Sequence, residues 1–248
     1  MYNTIITGCG RSGTSMVAGS IASCYKNLGG TPHQPNEENP KGFFETNLIN
    51  RINDSIISNS PGHIYPFQQF QGWLTLLDPN ATLGLKNFIQ KEMALITQET
   101  PFSFKDPRFC YTLEAWRHLL SNTKYICVFR HPIETISSLI GHAQRAPYLK
   151  GLVLTEEYCN KLWNTMYKWI LQRQSKHGEW LFIHRNQAMI KEGLEKIDKF
   201  LEIETDKTFP DQALIRYKKE NINKNLSEET YIIYEELCKR AEYLEVLK

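Results

Sequence analysis

The stretch IITGCGRSGTSMVAGSIA, residues 5–22, decides the fold of this chain. Its β-branched residues predict a strand, its glycines a tight turn, and its apolar residues at helical spacing a helix directly after the turn. A turn through Gly8, Gly10 and Gly13 aims several backbone N–H groups at one point, where the helix N-terminus adds partial positive charge. The stretch therefore favours an anion such as phosphate, although a tight turn with nothing bound has the same glycine spacing.

The same loop departs from the phosphate loop of nucleotide enzymes, G-x-x-x-x-G-K-[ST]. Thr14 occupies the lysine position, Ser15 follows it, and a cation, Arg11, lies three residues before Thr14. The lysine of that motif serves a nucleoside triphosphate with bound magnesium. Its absence raises the question of which anion this loop binds.

Outward from the loop, strand-like runs alternate with helical patterns, which predicts an α/β fold with a central, mostly parallel sheet flanked by helices. The predicted strands are residues 2–7, 102–104, 124–129 and 180–184. The predicted helices are residues 14–27, 46–60, 82–99, 111–121, 133–144, 155–177, 186–201 and 227–244. Because no repeat or low-complexity linker interrupts the pattern, we expect a single domain over 1–248.

Composition and charge narrow the classes of protein. The net charge is only +2 and basic residues are spread along the 248-residue chain, so we expect no nucleic-acid partner. The apolar runs are too short to cross a bilayer and the first strand begins at Tyr2, so we expect no stable membrane insertion, no signal peptide and a cytoplasmic location. Six widely spaced cysteines without a C-x-x-C pair indicate free thiols rather than disulfides or a zinc site.

A second candidate anion site follows the strand in YICVFRHPIETISSLI, residues 125–140. Arg130 ends the strand, and Ser137 and Ser138 lie about two turns into the next helix. The fork of an arginine paired with such a serine would hold a second phosphate with directional bonds. A surface arginine next to a polar helix face would give the same pattern.

Another strand end carries charge in FSFKDPRF, residues 102–109. The strand delivers Lys105, Asp106 and Arg108 to a turn that contains a proline. These three charges form either a local salt-bridge cluster or a site that places a cation over a ligand.

The segment ENPKGFFE, residues 38–45, ends a long non-periodic loop that begins at residue 30. A second such loop covers residues 61–80, and loops of this length in a compact domain are often functional. Glu45 opens a helix, where it either caps or electrostatically favours the helix N-terminus, or acts as a general base beside an apolar pocket.

Taken together, these four elements resemble a sulfotransferase that uses 3′-phosphoadenosine-5′-phosphosulfate (PAPS). In that family a glycine-rich loop with a basic residue and Ser-Gly-Thr binds the 5′-phosphosulfate, and an arginine with a serine eight residues later binds the 3′-phosphate. The loop residues that match, in the Arg-Ser-Gly-Thr form of tyrosylprotein and many bacterial members, are Gly10, Arg11, Ser12, Gly13, Thr14 and Ser15. The matching pair is Arg130 and Ser138.

The resemblance covers about residues 2–204 and implies a P-loop-like three-layer fold. The KDPR turn and the NPKGFFE loop resemble bacterial members. In WLFIHRNQAMIKEGLEKIDKFLEIE, residues 180–204, His184-Arg185 stands where Tyr-Glu is more usual. The remainder of the chain matches poorly.

The resemblance also implies a reaction, with PAPS as co-substrate, 3′-phosphoadenosine 5′-phosphate (PAP) as product and no metal. Arg11 and Lys105 would stabilise the leaving phosphate. Glu45 would be the general base, and His33 and His63 are the alternative candidates for that role. The acceptor would be a hydroxyl or amine of a small molecule, carbohydrate, lipid or peptide. Loop aromatics would either line its pocket or pack the loops against the core, namely Phe43, Phe44, Tyr65, Phe67, Phe70 and Trp73.

Two alternatives remain at this point. A P-loop kinase-type phosphoryl transferase would use the loop and sheet but needs a magnesium-holding carboxylate, for which Asp106 is the candidate. A non-catalytic binder of nucleotides or sulfated glycans would keep the loop and Arg130 without needing Lys105 or Glu45.

Overall fold

A computed structural model describes residues 1–61, 71–214 and 226–244 of the chain. Its centre is a sheet of four strands in the order β2-β1-β3-β4, in which every neighbouring pair is parallel. The strands are β1 (Asn3–Thr7), β2 (Ser103–Lys105), β3 (Thr123–Phe129) and β4 (Glu179–His184). All four lie where the sequence predicts them, and parallel pairing requires the helical crossovers that separate them.

The helices of the described residues occur between and after the strands. They are α1 (Thr14–Ala22), α2 (Asn47–Ser58), α3 (Asn87–Ile96), α4 (Phe109–Trp116), α5 (Pro132–Arg145), α6 (Glu156–Gln172), α7 (Arg185–Ala188), α8 (Lys191–Leu201) and α9 (Glu228–Arg240). None of these helices combines the length and the apolar character that crossing a bilayer requires, within the part of the chain that the structure describes.

The sheet is covered on both faces, which makes three layers. Because successive side chains of a strand point to opposite faces, β3 contributes to two cores. Ile126 and Val128 pack with α1 and α8, whereas Cys127 and Phe129 pack with α4, α5, α6 and α9. Burial on both faces explains why β3 is almost continuously apolar. The predicted fold class, a P-loop-like α/β fold with a central parallel sheet, is confirmed.

The long helix α6 supplies much of the larger core. Leu162, Met166, Trp169 and Ile170 are fully buried, as their helical spacing predicts. No disulfide joins the six cysteines, all of which lie among the described residues, and four of them are buried in the core: Cys9, Cys110, Cys127 and Cys159.

Several helix predictions are wrong in extent, and those over 111–121 and 155–177 end early, at Trp116 and Gln172. The helix expected over 82–99 begins only at Asn87, because Gly84 lies against the end of α2 and its N–H donates to Ser60 Oγ at 3.0 Å. The helix expected over 186–201 is two helices, because Ile190 adopts extended backbone between α7 and α8. The helix expected over 14–27 ends at Ala22.

Candidate active site

The glycine loop between β1 and α1 owes its shape to backbone that only glycine adopts easily. Gly8 has φ 147° and lies so close to β3 that a Cβ there would come within 2.1 Å of the Val128 carbonyl oxygen. Gly13 has φ 96° at the N-cap of α1, where no side chain caps the helix and no acidic residue lies in the first turn. The helix therefore presents its N-terminal N–H groups without a built-in anion, as an anion site requires.

The loop opens into a cleft of about 460 Å³ at the carboxyl ends of the strands. This edge of a parallel sheet is the usual place for a ligand. The cleft brings together nearly all the site residues predicted from the sequence: Gly10, Arg11, Gly13, Thr14, Ser15, Glu45, Lys105, Arg130 and Ser138.

Ser12 is the predicted loop residue that does not line the cleft. Its side chain is fully buried, and its Oγ lies 3.0 Å from the Tyr167 hydroxyl. The same hydroxyl lies 2.9 Å from the Val128 carbonyl oxygen and accepts from the Cys9 N–H at 3.2 Å. Ser12 therefore anchors the glycine loop to α6.

A chain of polar contacts joins the loop to the predicted base. Lys105 Nζ forms an ion pair with Glu45 Oε1 and donates to Ser15 Oγ at 3.2 Å. The Lys105 side chain is only 2% exposed and that of Glu45 17%. The capping role that was the alternative for Glu45 belongs to Thr46, whose side chain accepts from the Ile49 N–H. Glu45 is thus a carboxylate at the cleft wall rather than a helix cap.

Asn50 holds the second oxygen of this carboxylate. Its Nδ2 donates to Glu45 Oε2 at 3.2 Å and to Asp106 Oδ2 at 2.9 Å, and its Oδ1 lies 2.8 Å from His33 Nε2. The His33 ring therefore connects to the Glu45 carboxylate through Asn50, and His33 does not line the cleft. His63, the other reserve base, lies outside the described residues, as do Tyr65, Phe67 and Phe70.

Asp106 faces away from the cleft into a buried network. It is fully buried and accepts from Asn50, from Asn53 Nδ2 at 3.0 Å and from the N–H and Nη1 of Arg108 at 2.8 and 3.1 Å. Arg108 also pairs with Asp54. Asp106 and Arg108 therefore form the local salt-bridge cluster, whereas Lys105 lines the cleft.

Arg130 and Ser138 lie in the same cleft but contact other partners. Arg130 is 5% exposed and its Nε donates to Glu134 Oε2 at 2.5 Å, one helical turn away on α5. Ser138 Oγ accepts from Arg11 Nε at 3.3 Å, which connects α5 to the glycine loop.

Sequence reasoning missed a group of residues on α5 and the first long loop. Glu38 accepts from Arg145 Nε at 2.9 Å and Nη2 at 3.1 Å, and His142 Nδ1 lies 3.1 Å from the same carboxylate. The hydrogen bonds from Arg145 are the main cause that lowers the pKa of Glu38 to about 2. Burial, then the charge of Arg11, lowers the pKa of His142. His142 and Arg145 follow Ser138 at helical spacing, which was the available signal.

Arg185 is another cleft residue that the sequence did not single out. It opens α7 directly after β4, and its Nη2 lies 3.7 Å from Glu134 Oε2. Burial and the nearby charge of Arg130 lower the pKa of Arg185 to about 10.

The charge of the cleft favours an anion. Six basic side chains line it against three acidic ones. The basic residues are Arg11, Lys41, Lys105, Arg130, Arg145 and Arg185, and the acidic ones are Glu38, Glu45 and Asp211. Among the residues described, no group of three His, Cys, Asp or Glu side chains is placed to hold a metal ion.

Comparison with solved structures identifies sulfotransferase domains as similar folds. One is the sulfotransferase domain from the Synechococcus PCC 7002 olefin synthase, with a TM-score of 0.53 and 16% identity over 95% of this chain and 94% of that one. Another is the sulfotransferase domain from the curacin biosynthetic pathway, with a TM-score of 0.55 and 16% identity over 98% of both chains. No family model matches the sequence, and neither does any curated protein. At these identities the likeness shows a shared fold.

Proposed function

We propose that this chain is a sulfotransferase that moves the sulfuryl group of PAPS to a hydroxyl or amine of an acceptor. The observation that carries the proposal is the convergence on one cleft of the glycine loop, Lys105, Glu45 and Arg130. Each element alone has a structural explanation. Their meeting at one strand edge, in a fold shared with sulfotransferase domains, supports a common ligand with an anionic group at each end.

The glycine loop would bind the 5′ end of the donor. The uncapped N-terminus of α1 offers backbone N–H groups, and Thr14 and Ser15 add hydroxyls. Arg11 and Lys105 add positive charge from the loop and from β2. Donors that are already oriented toward a developing charge usually give the largest catalytic contribution, about 2.7–4 kcal/mol for a single one.

Arg130 and Ser138 would bind the 3′-phosphate. The Arg130 guanidinium is fixed by Glu134 before any ligand arrives, so little ordering is needed on binding. Ser138 accepts from Arg11 of the glycine loop, so it would lie between the two proposed phosphate sites.

Glu45 would take the proton of the acceptor. PAPS supplies an activated sulfuryl group: a bond forms between the acceptor oxygen or nitrogen and sulfur, and the bond from sulfur to the 5′-phosphate oxygen breaks. The acceptor proton goes to Glu45, and the electrons of the broken bond stay on the phosphate of PAP. Lys105 contacts both Glu45 and Ser15 of the loop, so it can stabilise charge on the leaving phosphate beside the base.

The acceptor would enter beside aromatic residues of the cleft. Phe43, Trp73 and Tyr148 line it, whereas Phe44 packs against Phe209. A small molecule, carbohydrate, lipid or peptide with a hydroxyl or amine fits this chemistry. We propose no nucleic-acid partner and no metal for the reaction.

The kinase-type alternative needs Asp106 to hold magnesium. Asp106 is fully buried and already accepts four hydrogen bonds from protein donors, so that alternative loses its main support. A non-catalytic binder would not need a carboxylate and a lysine paired at the cleft wall.

Two measurements separate these functions. The first is thermal unfolding with PAP, with ATP and Mg²⁺, or with no ligand. The second is incubation of the protein with a panel of acceptors and PAPS that carries a labelled sulfuryl group. We expect PAP to raise the melting temperature and label to be transferred. Stabilisation by ATP with Mg²⁺ but not by PAP would contradict the proposal.

A further inference from the structure

Two arginines in the cleft share one carboxylate. Arg130 Nε lies 2.5 Å and Arg185 Nη2 3.7 Å from the same oxygen, Oε2 of Glu134. The side chains of the two arginines are only 6% and 14% exposed, and that of Glu134 15%. Two positive charges against one negative charge leave an excess of one positive charge in a mostly buried place. Such an excess favours an anionic ligand.

The Arg185 side chain also lies beside the glycine loop. Gly13 leaves room for it, because a Cβ at Gly13 would come within 2.8 Å of Arg185 Cγ. Arg185 Nη2 donates to Asn186 Oδ1 at 3.1 Å. The Nε of Arg185 is buried and has no hydrogen-bond partner among the described residues. A buried charged donor without a partner is costly, and a ligand oxygen would relieve that cost.

We propose that Arg185 binds the 3′-phosphate of the donor together with Arg130 and thereby sets the preference for 3′-phosphorylated nucleotides. This inference rests on the proposed function. Both guanidiniums contact Glu134 Oε2 and both residues line the cleft, so one phosphate bound there could reach two arginines. A phosphate monoester carries about −1.5 to −2 charges at neutral pH and offers three acceptor oxygens, which suits two arginines better than one.

The test is to measure, by isothermal titration, the affinities of wild type and Arg185→Gln for PAP and for adenosine 5′-monophosphate, which lacks the 3′-phosphate. Because a hydrogen bond to a charged group contributes about 1.5–3 kcal/mol, we expect Arg185→Gln to bind PAP about 10- to 100-fold more weakly. Binding of the monophosphate should change less than about threefold, within the ordinary scatter of a surface change. Arg51→Gln, which removes a partly exposed arginine of α2 that pairs with Glu92 of α3, is the matched control.

The outcomes separate the two proposals. If wild type does not bind PAP, the proposed function fails. If wild type binds PAP and Arg185→Gln keeps the same ratio of the two affinities, only the role of Arg185 is overturned. If Arg185→Gln does not fold, Arg185→Lys tests the inference instead. The lysine keeps the aliphatic stem over Gly13 and the positive charge but lacks the guanidinium fork. Its affinity for PAP should therefore fall, while its affinity for the monophosphate should stay the same. An unchanged ratio in the lysine variant would overturn the inference.

Discussion

Lys105 forms an ion pair with Glu45 at the wall of the cleft and at the same time donates to Ser15 of the glycine loop, at 3.2 Å. One lysine thus contacts both the group proposed to take a proton and the loop proposed to hold the leaving phosphate. Since the lysine side chain is almost fully buried, the pair is shielded from solvent and from salt.

The first prediction concerns the base. Glu45→Gln should lower kcat by about 10²- to 10⁴-fold, because a positioned general base contributes an effect of that size. Affinity for PAP should stay within about threefold of the wild-type value, because Glu45 is assigned to the proton of the acceptor and not to the donor. Steady-state transfer assays and titration with PAP measure the two quantities. Glu92→Gln, on the surface of α3, is the control, and near-full activity of folded Glu45→Gln would remove the assignment.

Lys105 should behave differently from Glu45. Lys105→Ala removes a charge from the leaving phosphate as well as from Glu45, so we expect both a lower kcat, by about 10²- to 10³-fold, and weaker binding of PAP. Lys191→Ala, which removes a 73% exposed lysine on α8, should affect neither. The comparison of kcat with PAP affinity checks the assignment; a variant that loses only stability would place Lys105 in a structural role.

Glu38 tethers the first long loop to α5 across the cleft. Glu38→Gln removes the charge that Arg145 and His142 hold, so we expect KM for the substrates to rise several-fold and the loop to become more sensitive to proteolysis. Because the folded pKa of Glu38 is lowered from 4.5 to about 2, its contribution to stability is present above about pH 4.5 and is lost as the pH falls through about 2. Glu37→Gln, at the exposed neighbouring residue, is the control. Equal KM values for the two variants would contradict the tether.

The stability of the protein should depend on pH through His184. Burial, then the charge of Arg185, lowers the folded pKa of His184 from 6.5 to about 3, while its Nδ1 accepts from the Asn186 N–H at 3.1 Å. Between these two values the unfolded state binds more protons than the folded state. The free energy of unfolding should therefore fall as the pH drops below about 6.5, by up to about 1.4 kcal/mol per pH unit from this group.

His184→Asn tests this dependence, because the asparagine oxygen can replace Nδ1 as the acceptor without titrating. Urea unfolding at pH 7 and pH 5 should show a smaller loss of stability for this variant than for wild type. His118→Asn, at an exposed histidine, should leave the difference unchanged. A wild-type curve that is flat between these pH values would contradict the buried neutral state of His184.

The sheet and most of the cleft could be predicted from the sequence. Strands β1 to β4 carry strong apolar patterns, and the carboxyl ends of parallel strands meet at one edge, so Lys105 and Arg130 had to approach the glycine loop. The helix break at Ile190 was not predictable in the same way, because residues 186–201 have one continuous apolar period. The break depends on a close local contact: a Cβ at Gly193 would come within 1.9 Å of the Gln187 carbonyl oxygen.

The finer geometry of the site depends on contacts between residues far apart in the chain. Ser12 appears in the motif as a ligand-binding residue, yet its side chain contacts Tyr167 in the core. Glu38 contacts α5 more than 100 residues later, at Arg145 and His142. Such pairings follow from the packing of loops on the sheet, which local propensity does not encode.

The proposed function requires that one cleft binds both ends of a doubly phosphorylated nucleotide. Its most direct test is titration of wild type and Arg130→Ala with PAP and with adenosine 5′-monophosphate. We predict that wild type prefers PAP by about 10- to 100-fold and that Arg130→Ala loses most of that preference while still binding the monophosphate through the glycine loop. An Arg130→Ala protein that still discriminates as strongly as wild type for the 3′-phosphorylated nucleotide would contradict the claim.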